Sequence, residues 1–143
     1  GVAEGVVRHC MPDKSRNTLR ALEYSPLRGN DSIREATVQV GDREIHLAVV
    51  HGLIHAQELL KEIDAGNAYY DLIEVMTCPG GCVGGAGQPY GLKQKKQERT
   101  AGLYAADRSA PFKRAEYNPV VTSMMDAYTP DQRHDLLHVD YTK

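Results

Sequence analysis

Two cysteines lie four residues apart in a segment composed largely of glycine and proline. The segment runs from Cys78 through Cys82 to Pro89. Glycine lets the backbone come close to a bulky group and leaves its N–H groups unobstructed. Cysteine thiolates are soft ligands that select zinc, copper(I) or iron–sulfur clusters. The combination predicts a loop that wraps around an inorganic cluster.

Three kinds of metal or redox site compete for this loop with a plain glycine-rich turn. Structural zinc sites use two pairs of ligands, each separated by two residues, and the sequence has no second pair of cysteines. Thioredoxin-type redox chemistry also uses two intervening residues, whereas three separate Cys78 from Cys82. An iron–sulfur cluster accepts the wider spacing but needs four ligands. Either the other ligands come from outside this sequence, or the loop holds no cluster.

The elements that position the loop are predicted to form an α/β unit. Residues 34–40 and 44–50 have the pattern of two strands joined by a tight turn, which indicates a hairpin. The second of them ends in an unbroken apolar run, as in a central strand. A helix follows, and residues 71–76 form a third strand that is expected to be parallel to the second. The cysteine loop leaves the carboxyl end of that strand, where open α/β sheets bind their ligands.

The flanking segments are predicted to be mainly helical. The helix after the second strand carries a stripe composed of Leu53, Ala56, Leu60 and Ile63 and ends near Gly66. Residues 1–8 have helical spacing without a capping residue, which suggests a fragment or one chain of a split protein, and residues 23–30 read as a loop. Further helices are predicted over residues 91–108, 118–128 and 130–138, the last with Thr129 as its N-cap and Pro130 at its first position.

The composition excludes several other classes of function. The 143 residues carry 17 basic and 19 acidic side chains, so neither nucleic acid nor a membrane surface is implied as a partner. No stretch approaches the roughly 20 apolar residues of a membrane span. Three cysteines are too few for a disulfide framework and favour a reducing compartment, here the cytoplasm. The basic run from Lys93 to Arg99 is expected to be a solvated helix face, with a docking patch as the alternative.

Histidines and one glutamate are weaker candidates for a site. Metal or proton chemistry is conceivable for His9, His46, His51 and His55, but no third ligand lies nearby in the sequence, so hydrogen-bonded or core histidines are expected. Glu74 precedes the loop on a predicted buried strand, where its carboxylate must find a partner. We expect Glu74 to be an anchor behind the site.

The segment from Met76 to Pro89 is similar to the third cluster-binding motif of the iron-only ([FeFe]) hydrogenases. It keeps the pattern Met76-x-Cys78-Pro-Gly-Gly-Cys82-x-x-Gly85-x-Gly87-Gln88-Pro89. Shorter similarities follow the family's order: Leu27-Arg-Gly, Ile33-Arg-Glu-Ala-Thr-Val, Ala48-Val-Val-His-Gly-Leu53, Glu116-Tyr-Asn-Pro119 and His134-Asp-Leu-Leu-His138. Together they cover most of the sequence and imply the C-terminal half of that catalytic domain.

The resemblance implies a role for each residue of the loop. Cys78 corresponds to a ligand of the [4Fe–4S] cubane of the catalytic H-cluster, and Cys82 to the cysteine that joins the cubane to the two-iron [2Fe] subcluster. Met76 corresponds to a methionine packed beside the two-iron unit, so Cys82 and Met76 are the expected catalytic residues. The expected cofactor-binding glycines are Gly80, Gly81, Gly85 and Gly87.

The sequence also departs from the family pattern. The two upstream motifs, which bring the other cubane ligands and the proton-relay cysteine, are absent, so this chain alone is not expected to complete the cluster. Ala86 stands where glycine is usual. Cys10 corresponds to no family ligand and is expected to be a buried structural cysteine.

The resemblance therefore implies an enzyme that reduces protons to dihydrogen reversibly, inactive as this fragment. Its expected fold is α/β, with a small mixed, partly parallel sheet flanked by helices, as a fragment of a two-lobed domain. Within residues 1–143, residues 22–90 are the expected core with the cluster loop and 91–143 a helical segment. The expected partners are the remaining N-terminal part and an electron carrier such as ferredoxin or, in an NAD(P)-linked enzyme, a nicotinamide. The alternatives are a hydrogenase-like iron–sulfur assembly protein and a dihydrogen-sensing module.

Overall fold

The computed structural model describes residues 1–12, 28, 31–91 and 93–139. They divide into two compact units, residues 1–110 and 111–143. The first unit contains α1 (Val2–Cys10), β1 (Ile33–Val40), β2 (Arg43–His51), α2 (Leu53–Asp64), β3 (Leu72–Met76), a 3₁₀ helix (Gly81–Gly84) and α3 (Lys93–Ser109). The second contains a 3₁₀ turn (Ala115–Tyr117), α4 (Pro119–Asp126) and α5 (Pro130–Leu137). The loop predicted over residues 23–30 lies outside the described residues except for Arg28.

The sheet has three strands in the order β1-β2-β3. β1 runs antiparallel to β2, with Ile33 opposite Val50, and β2 runs parallel to β3, with His51 beside Met76. This is the small mixed, partly parallel sheet that the sequence predicts, and the α/β class is confirmed. The central position of β2 follows from its unbroken apolar run, because a strand covered on both faces has no side that can be polar.

A helix covers each face of the sheet. On one face Ala3, Val7 and Met11 of the N-terminal segment form a buried cluster with Leu47 and Val49. On the other face the buried cluster consists of Ala56 and Leu59 from α2 with Ala48 and Val50 from β2. The alternation along β2 sends successive side chains to opposite faces, so one strand serves both cores.

The stripe predicted on α2 is confirmed for Ala56 and Ile63, which pack in the core, and is wrong for Leu53 and Leu60. Leu53 and Leu60 are 60% and 55% exposed, whereas Leu59 is only 5% exposed. The helix is oriented so that Ala56 and Leu59 pack against β2. It carries apolar side chains on several sides, and packing against β2 determines which of them are buried. The end of α2 lies where the sequence predicts it.

Gly66 ends α2 through a backbone conformation that suits glycine. Its φ of 75° is left-handed, its N–H donates to the carbonyl of Ile63 over 2.9 Å, and the next N–H, of Asn67, donates to Glu62 over 2.9 Å. This pair of bonds is a Schellman motif, which satisfies carbonyls that the helix leaves open.

The helices predicted over residues 118–128 and 130–138 are present as α4 and α5. α5 begins with Thr129 as its N-cap and Pro130 at its first turn, and a capping box forms because Gln132 bonds back to the backbone of Thr129. Asn118 caps α4 by accepting a hydrogen bond from the amide of Val120. Among the helices in the described part of the chain, none is long and apolar enough to cross a membrane.

Four charged side chains tie α1 to α3 in the first unit. Arg8 donates to both carboxylate oxygens of Asp107 over 3.1 Å, and Arg28 bonds Glu4 over 2.7 Å and Asp107 over 2.5 Å. The side chains of Glu4, Arg8 and Arg28 are each 7% exposed, and that of Asp107 is 30% exposed. The Arg28 guanidinium also lies 4.7 Å from the centre of the Tyr104 ring. We call these four charged residues the α1–α3 ion network.

Candidate functional site

The candidate site lies at the carboxyl edge of the parallel strand pair. β2 and β3 end side by side at His51 and Met76, and the amide of Gly52 donates to the carbonyl of Met76 over 2.8 Å. From this edge β2 continues into α2, and β3 continues into the cysteine loop, residues 77–91. The position agrees with the expectation that open α/β sheets bind ligands here.

Two consecutive glycines turn the cysteine loop back on itself. Gly80 and Gly81 have left-handed φ values of 87° and 71°, which glycine adopts without steric cost. The amide of Gly81 donates to the carbonyl of Cys78 over 2.9 Å, and that of Gly85 donates to Cys82 over 3.2 Å. These bonds fold residues 78–85 into successive tight turns that bring both cysteines into one compact segment.

Glycine is also required for close packing against the sulfur atoms. A Cβ atom on Gly81 would lie 2.9 Å from the Sδ of Met76, and one on Gly85 would lie 3.4 Å from the Sγ of Cys78. The first distance is shorter than real Cβ contacts, and the second is at the lower edge of an ordinary van der Waals contact. The loop therefore packs backbone directly against the thioether and one thiol.

Replacing Gly81 by alanine is expected to lower the free energy of unfolding by about 1–3 kcal/mol, because a side chain is added at a left-handed φ and against Met76. Urea denaturation of the 143-residue chain measures the change. The matched control is Gly102→Ala in the middle of α3, where a Cβ would meet nothing within 4 Å and where alanine should stabilise by about 0.5–1 kcal/mol. Equal effects at the two positions would contradict the close packing.

A cleft of about 190 Å³ opens beside the loop. Its lining includes Met76, Cys82 and Val83 from β3 and the loop, with Val49 and Leu103 among the apolar walls. The Cys82 side chain is exposed and that of Cys78 half-buried. Cys78 is not among the described residues that line this cleft, so the two thiols have different surroundings.

His51 holds the loop from the end of β2. The amide of Gly80 donates to the Nδ1 of His51 over 3.1 Å, so this nitrogen is unprotonated and the proton of the neutral ring is on Nε2. Burial lowers the pKa of His51, and the positive charges of Arg34 and His55 lower it further. His51 is therefore a neutral hydrogen-bond acceptor, which agrees with the expectation of a hydrogen-bonded histidine.

The other predicted histidines have partners outside the cleft or are exposed. His55 pairs with Glu58 within α2 at 3.0 Å, and the His46 ring lies 3.3 Å from the hydroxyl of Thr37. His9 is exposed on α1. None of these three contributes to the lining of the cleft among the described residues.

Glu74 finds its partners in the N-terminal helix. Its carboxylate accepts hydrogen bonds from the amides of Val2, at 3.1 Å, and Ala3, at 2.9 Å. The first turn of a helix has unpaired N–H groups and a partial positive charge, so a carboxylate is well matched to it. Glu74 thereby fixes the start of α1, whose first residues line the same cleft.

Two basic residues of α3 contact the loop, which the sequence did not predict. Lys96 donates to the carbonyl of Pro79 over 3.4 Å. Arg99 donates to the carbonyl of Val83 over 3.1 Å and to that of Pro89. The acceptors are main-chain atoms, so no residue type in the loop signals the contact, and the basic run reads like an ordinary solvated face.

The expectation of a buried Cys10 is wrong. Its side chain is exposed, although Cys10 lies seven residues after the buried Ala3 and so shares its side of an ideal helix. Cys10 is the last residue of α1, and Met11, which follows in an extended conformation, is buried instead.

The donor set fits part of the ligand shell of an iron–sulfur cluster. Thiolates suit iron, and the glycines allow a bulky group to approach the backbone. Among the described residues, no group of three or more histidine, cysteine, aspartate or glutamate side chains is arranged to hold a metal ion. Cys78 and Cys82 would supply two ligands of such a cluster, and a complete shell needs others.

Two family models match consecutive parts of the sequence. One, described as "Iron only hydrogenase large subunit, C-terminal domain", matches residues 1–86. The other, described as "Iron hydrogenase small subunit", matches residues 93–143. The first match ends within the cysteine loop, and the second begins at Lys93, the first residue of α3.

The similar proteins include hydrogenases and iron–sulfur assembly factors. The "NADP-reducing hydrogenase subunit HndD" of Solidesulfovibrio fructosivorans is 38% identical over 149 residues, which cover 100% of this chain and 25% of that protein. The "Periplasmic [Fe] hydrogenase large subunit" of Nitratidesulfovibrio vulgaris is 37% identical over 107 residues, 73% of this chain and 25% of that protein. A probable cytosolic Fe-S cluster assembly factor of Anopheles gambiae is 29% identical over 147 residues, 99% of this chain and 30% of that protein.

A solved structure shares the fold. A variant of [FeFe]-hydrogenase HydA1 from Chlamydomonas reinhardtii matches with a TM-score of 0.63 and 30% sequence identity, covering 82% of this chain and 38% of that one. The chain spans about a quarter of the length of the two hydrogenase relatives above. The family expected from the cysteine motif is confirmed: the chain belongs to the iron-only hydrogenase large subunit family, in its C-terminal domain.

Proposed function

We propose that this chain supplies two cysteine ligands to the H-cluster of an [FeFe] hydrogenase, which reduces protons to dihydrogen reversibly. The observation that carries the proposal is that Cys82 and Met76 line one largely apolar cleft at the carboxyl edge of the parallel strands. In this proposal Cys78 binds the [4Fe–4S] cubane, and Cys82 joins the cubane to the [2Fe] subcluster. The glycines proposed to surround the bound cluster are Gly80, Gly81, Gly85 and Gly87.

The bound cluster supplies the electron transfer and the metal chemistry of dihydrogen formation. The residues of this chain hold and shield it. Met76 forms a polarizable wall without an exchangeable proton, and Gly81 lets the backbone approach the Met76 sulfur closely. His51 is neutral and accepts from Gly80, so it fixes the loop without adding a charge.

We also propose that residues 1–143 form the C-terminal portion of the catalytic domain, with 22–90 as the core that carries the cluster loop and 91–143 as a helical segment. Residues 22–27 lie outside the described part of the chain. The remaining cubane ligands and the proton-relay cysteine then come from an N-terminal part. Its electron partner would be ferredoxin or NAD(P), in an anaerobic, cytoplasmic setting; the NADP-reducing relative supports the nicotinamide.

An iron–sulfur assembly protein is the second candidate function. The observation in its favour is the Anopheles assembly factor, which is similar over 99% of this chain. Infrared spectroscopy of the complete, cluster-loaded protein separates the two, because metal-bound carbon monoxide and cyanide give bands only where a two-iron subcluster is present. Such bands with slow turnover would favour a dihydrogen-sensing module, and their absence would favour the assembly protein.

The 143-residue chain purified alone is expected to bind no stoichiometric cubane. Within the described part of the chain only Cys78 and Cys82 are suitable ligands, whereas a cubane needs four. Anaerobic reconstitution followed by iron and sulfide analysis should give well below four irons per chain. A stable stoichiometric cubane on the isolated chain would show that its ligands come from within these residues.

A further inference from the structure

The peptide bond between Pro79 and Gly80 is held from both sides. Its carbonyl accepts from Lys96 of α3 over 3.4 Å, and its N–H donates to His51 at the end of β2 over 3.1 Å. The carbonyl and N–H of a trans peptide point in opposite directions, so α3 and β2 bind opposite edges of this peptide plane. This plane lies directly between Cys78 and Gly81.

A second contact from α3 spans the remainder of the loop. The guanidinium of Arg99 donates to the carbonyls of Val83, at 3.1 Å, and Pro89. A planar guanidinium presents several N–H groups in fixed directions, so it can join two carbonyls that are six residues apart. The aliphatic part of the Lys96 side chain also packs against Gly84. A Cβ atom added to this glycine would lie 3.2 Å from the Cε of Lys96.

We propose that Lys96 and Arg99 are positioning residues: α3 acts as a cationic clamp that fixes the shape of the cysteine loop and raises the reduction potential of the cluster held there. The first half rests on the contacts above. The second half rests on the proposed function. The carbonyls orient the two cations beside a loop that carries two thiols, and a nearby positive charge favours the reduced, more negative state of a cluster.

Hydrogen exchange of the 143-residue chain without metal tests the clamp. Arg99→Gln removes both contacts, and a charge-assisted hydrogen bond is worth enough that the amides of Gly81 and Gly85 should exchange roughly tenfold faster. Arg99→Lys should also speed exchange, because one ammonium group cannot replace the planar fork. Lys93→Gln is the matched control: it removes a positive charge from the same helix at an exposed position and should leave the loop amides unchanged.

Amides of β2 serve as an internal standard for global stability, since their exchange should be the same in all variants. Faster exchange confined to the loop supports the clamp. Unchanged loop exchange in Arg99→Gln overturns it, whatever the function of the protein.

The midpoint potential of the cubane in the complete, cluster-loaded protein tests the electrostatic half. Lys96→Gln and Arg99→Gln should shift the potential to more negative values, whereas Arg99→Lys, which keeps the charge, and Lys93→Gln should not. An unchanged potential in both Lys96→Gln and Arg99→Gln overturns the electrostatic half of the proposal. The two proposals can also fail separately. If loop exchange accelerates as expected but the complete protein never incorporates a cluster, the clamp is supported and the proposed function is contradicted.

Discussion

Cys82→Ser is expected to abolish dihydrogen evolution in the complete protein. In the proposed site this thiolate joins the electron-delivering cubane to the two-iron unit, and serine offers a harder oxygen that binds iron less well. Cys82 is exposed and lines the cleft, so the substitution itself should cost little stability. Dihydrogen evolution from a reduced artificial donor, with the iron content measured in parallel, gives the result.

Two further cysteine variants make this experiment decisive. Cys78→Ser alters one proposed cubane ligand, so some cluster with a changed potential should survive. Cys10 is an exposed residue of α1. Cys10→Ser should therefore leave both iron content and turnover nearly unchanged. If Cys82→Ser retained substantial turnover while Cys10→Ser lost it, the assignment of this loop to the catalytic cluster would be wrong.

Asp107→Asn is expected to lower the free energy of unfolding by about 2–3 kcal/mol, because it leaves Arg8 and Arg28 largely buried with Glu4 as their shared carboxylate. The value lies below that of a fully buried pair since the Asp107 side chain is 30% exposed. Urea denaturation at neutral pH measures it. The matched control on α3 is Glu98→Gln, whose exposed pair with Lys95 should contribute at most about 0.5 kcal/mol.

The stability difference between the wild type and Asp107→Asn should depend on pH in a defined way. Hydrogen bonding from Arg8 holds the pKa of Asp107 well below its usual range, with Arg28 adding to this and burial opposing it. A carboxylate with a lowered pKa in the folded state stabilises fully above the unfolded pKa, about 4, and loses that contribution as the pH falls towards the folded value. The stability difference between wild type and Asp107→Asn should therefore shrink below about pH 4. A difference that grows on acidification would contradict the ion network.

Local chemistry was sufficient to predict the hairpin, the parallel pair and the cysteine loop. Gly80 and Gly81 adopt the left-handed backbone that glycine favours, and the cofactor-binding role expected for them stays a prediction. The unbroken apolar run of β2 likewise indicates burial on both faces without knowledge of what covers them. The family motif then adds roles for Met76, Cys78 and Cys82 that spacing alone does not supply.

Features that depend on distant partners could not be predicted. The phase of α2 is decided by which side of the helix meets the sheet, so Leu59 is buried and Leu60 is not. Cys10 lies at the very end of an amphipathic helix, where the following Met11 is buried and the cysteine is exposed. Lys96 and Arg99 bind carbonyls that every residue possesses, so no pattern in the loop marks them as partners.

The hydrogen bonds from Val2 and Ala3 to Glu74 have a kinetic consequence. They join residues separated by 72 and 71 positions, and contacts between such distant segments form late, because a long loop must close before they are made. Because β2 and β3 are much closer in sequence, we expect them to pair before Glu74 meets the start of α1. The wall of the cleft beside Cys82 is then expected to form late during folding, together with the Arg8–Asp107 hydrogen bonds, which join residues 99 positions apart.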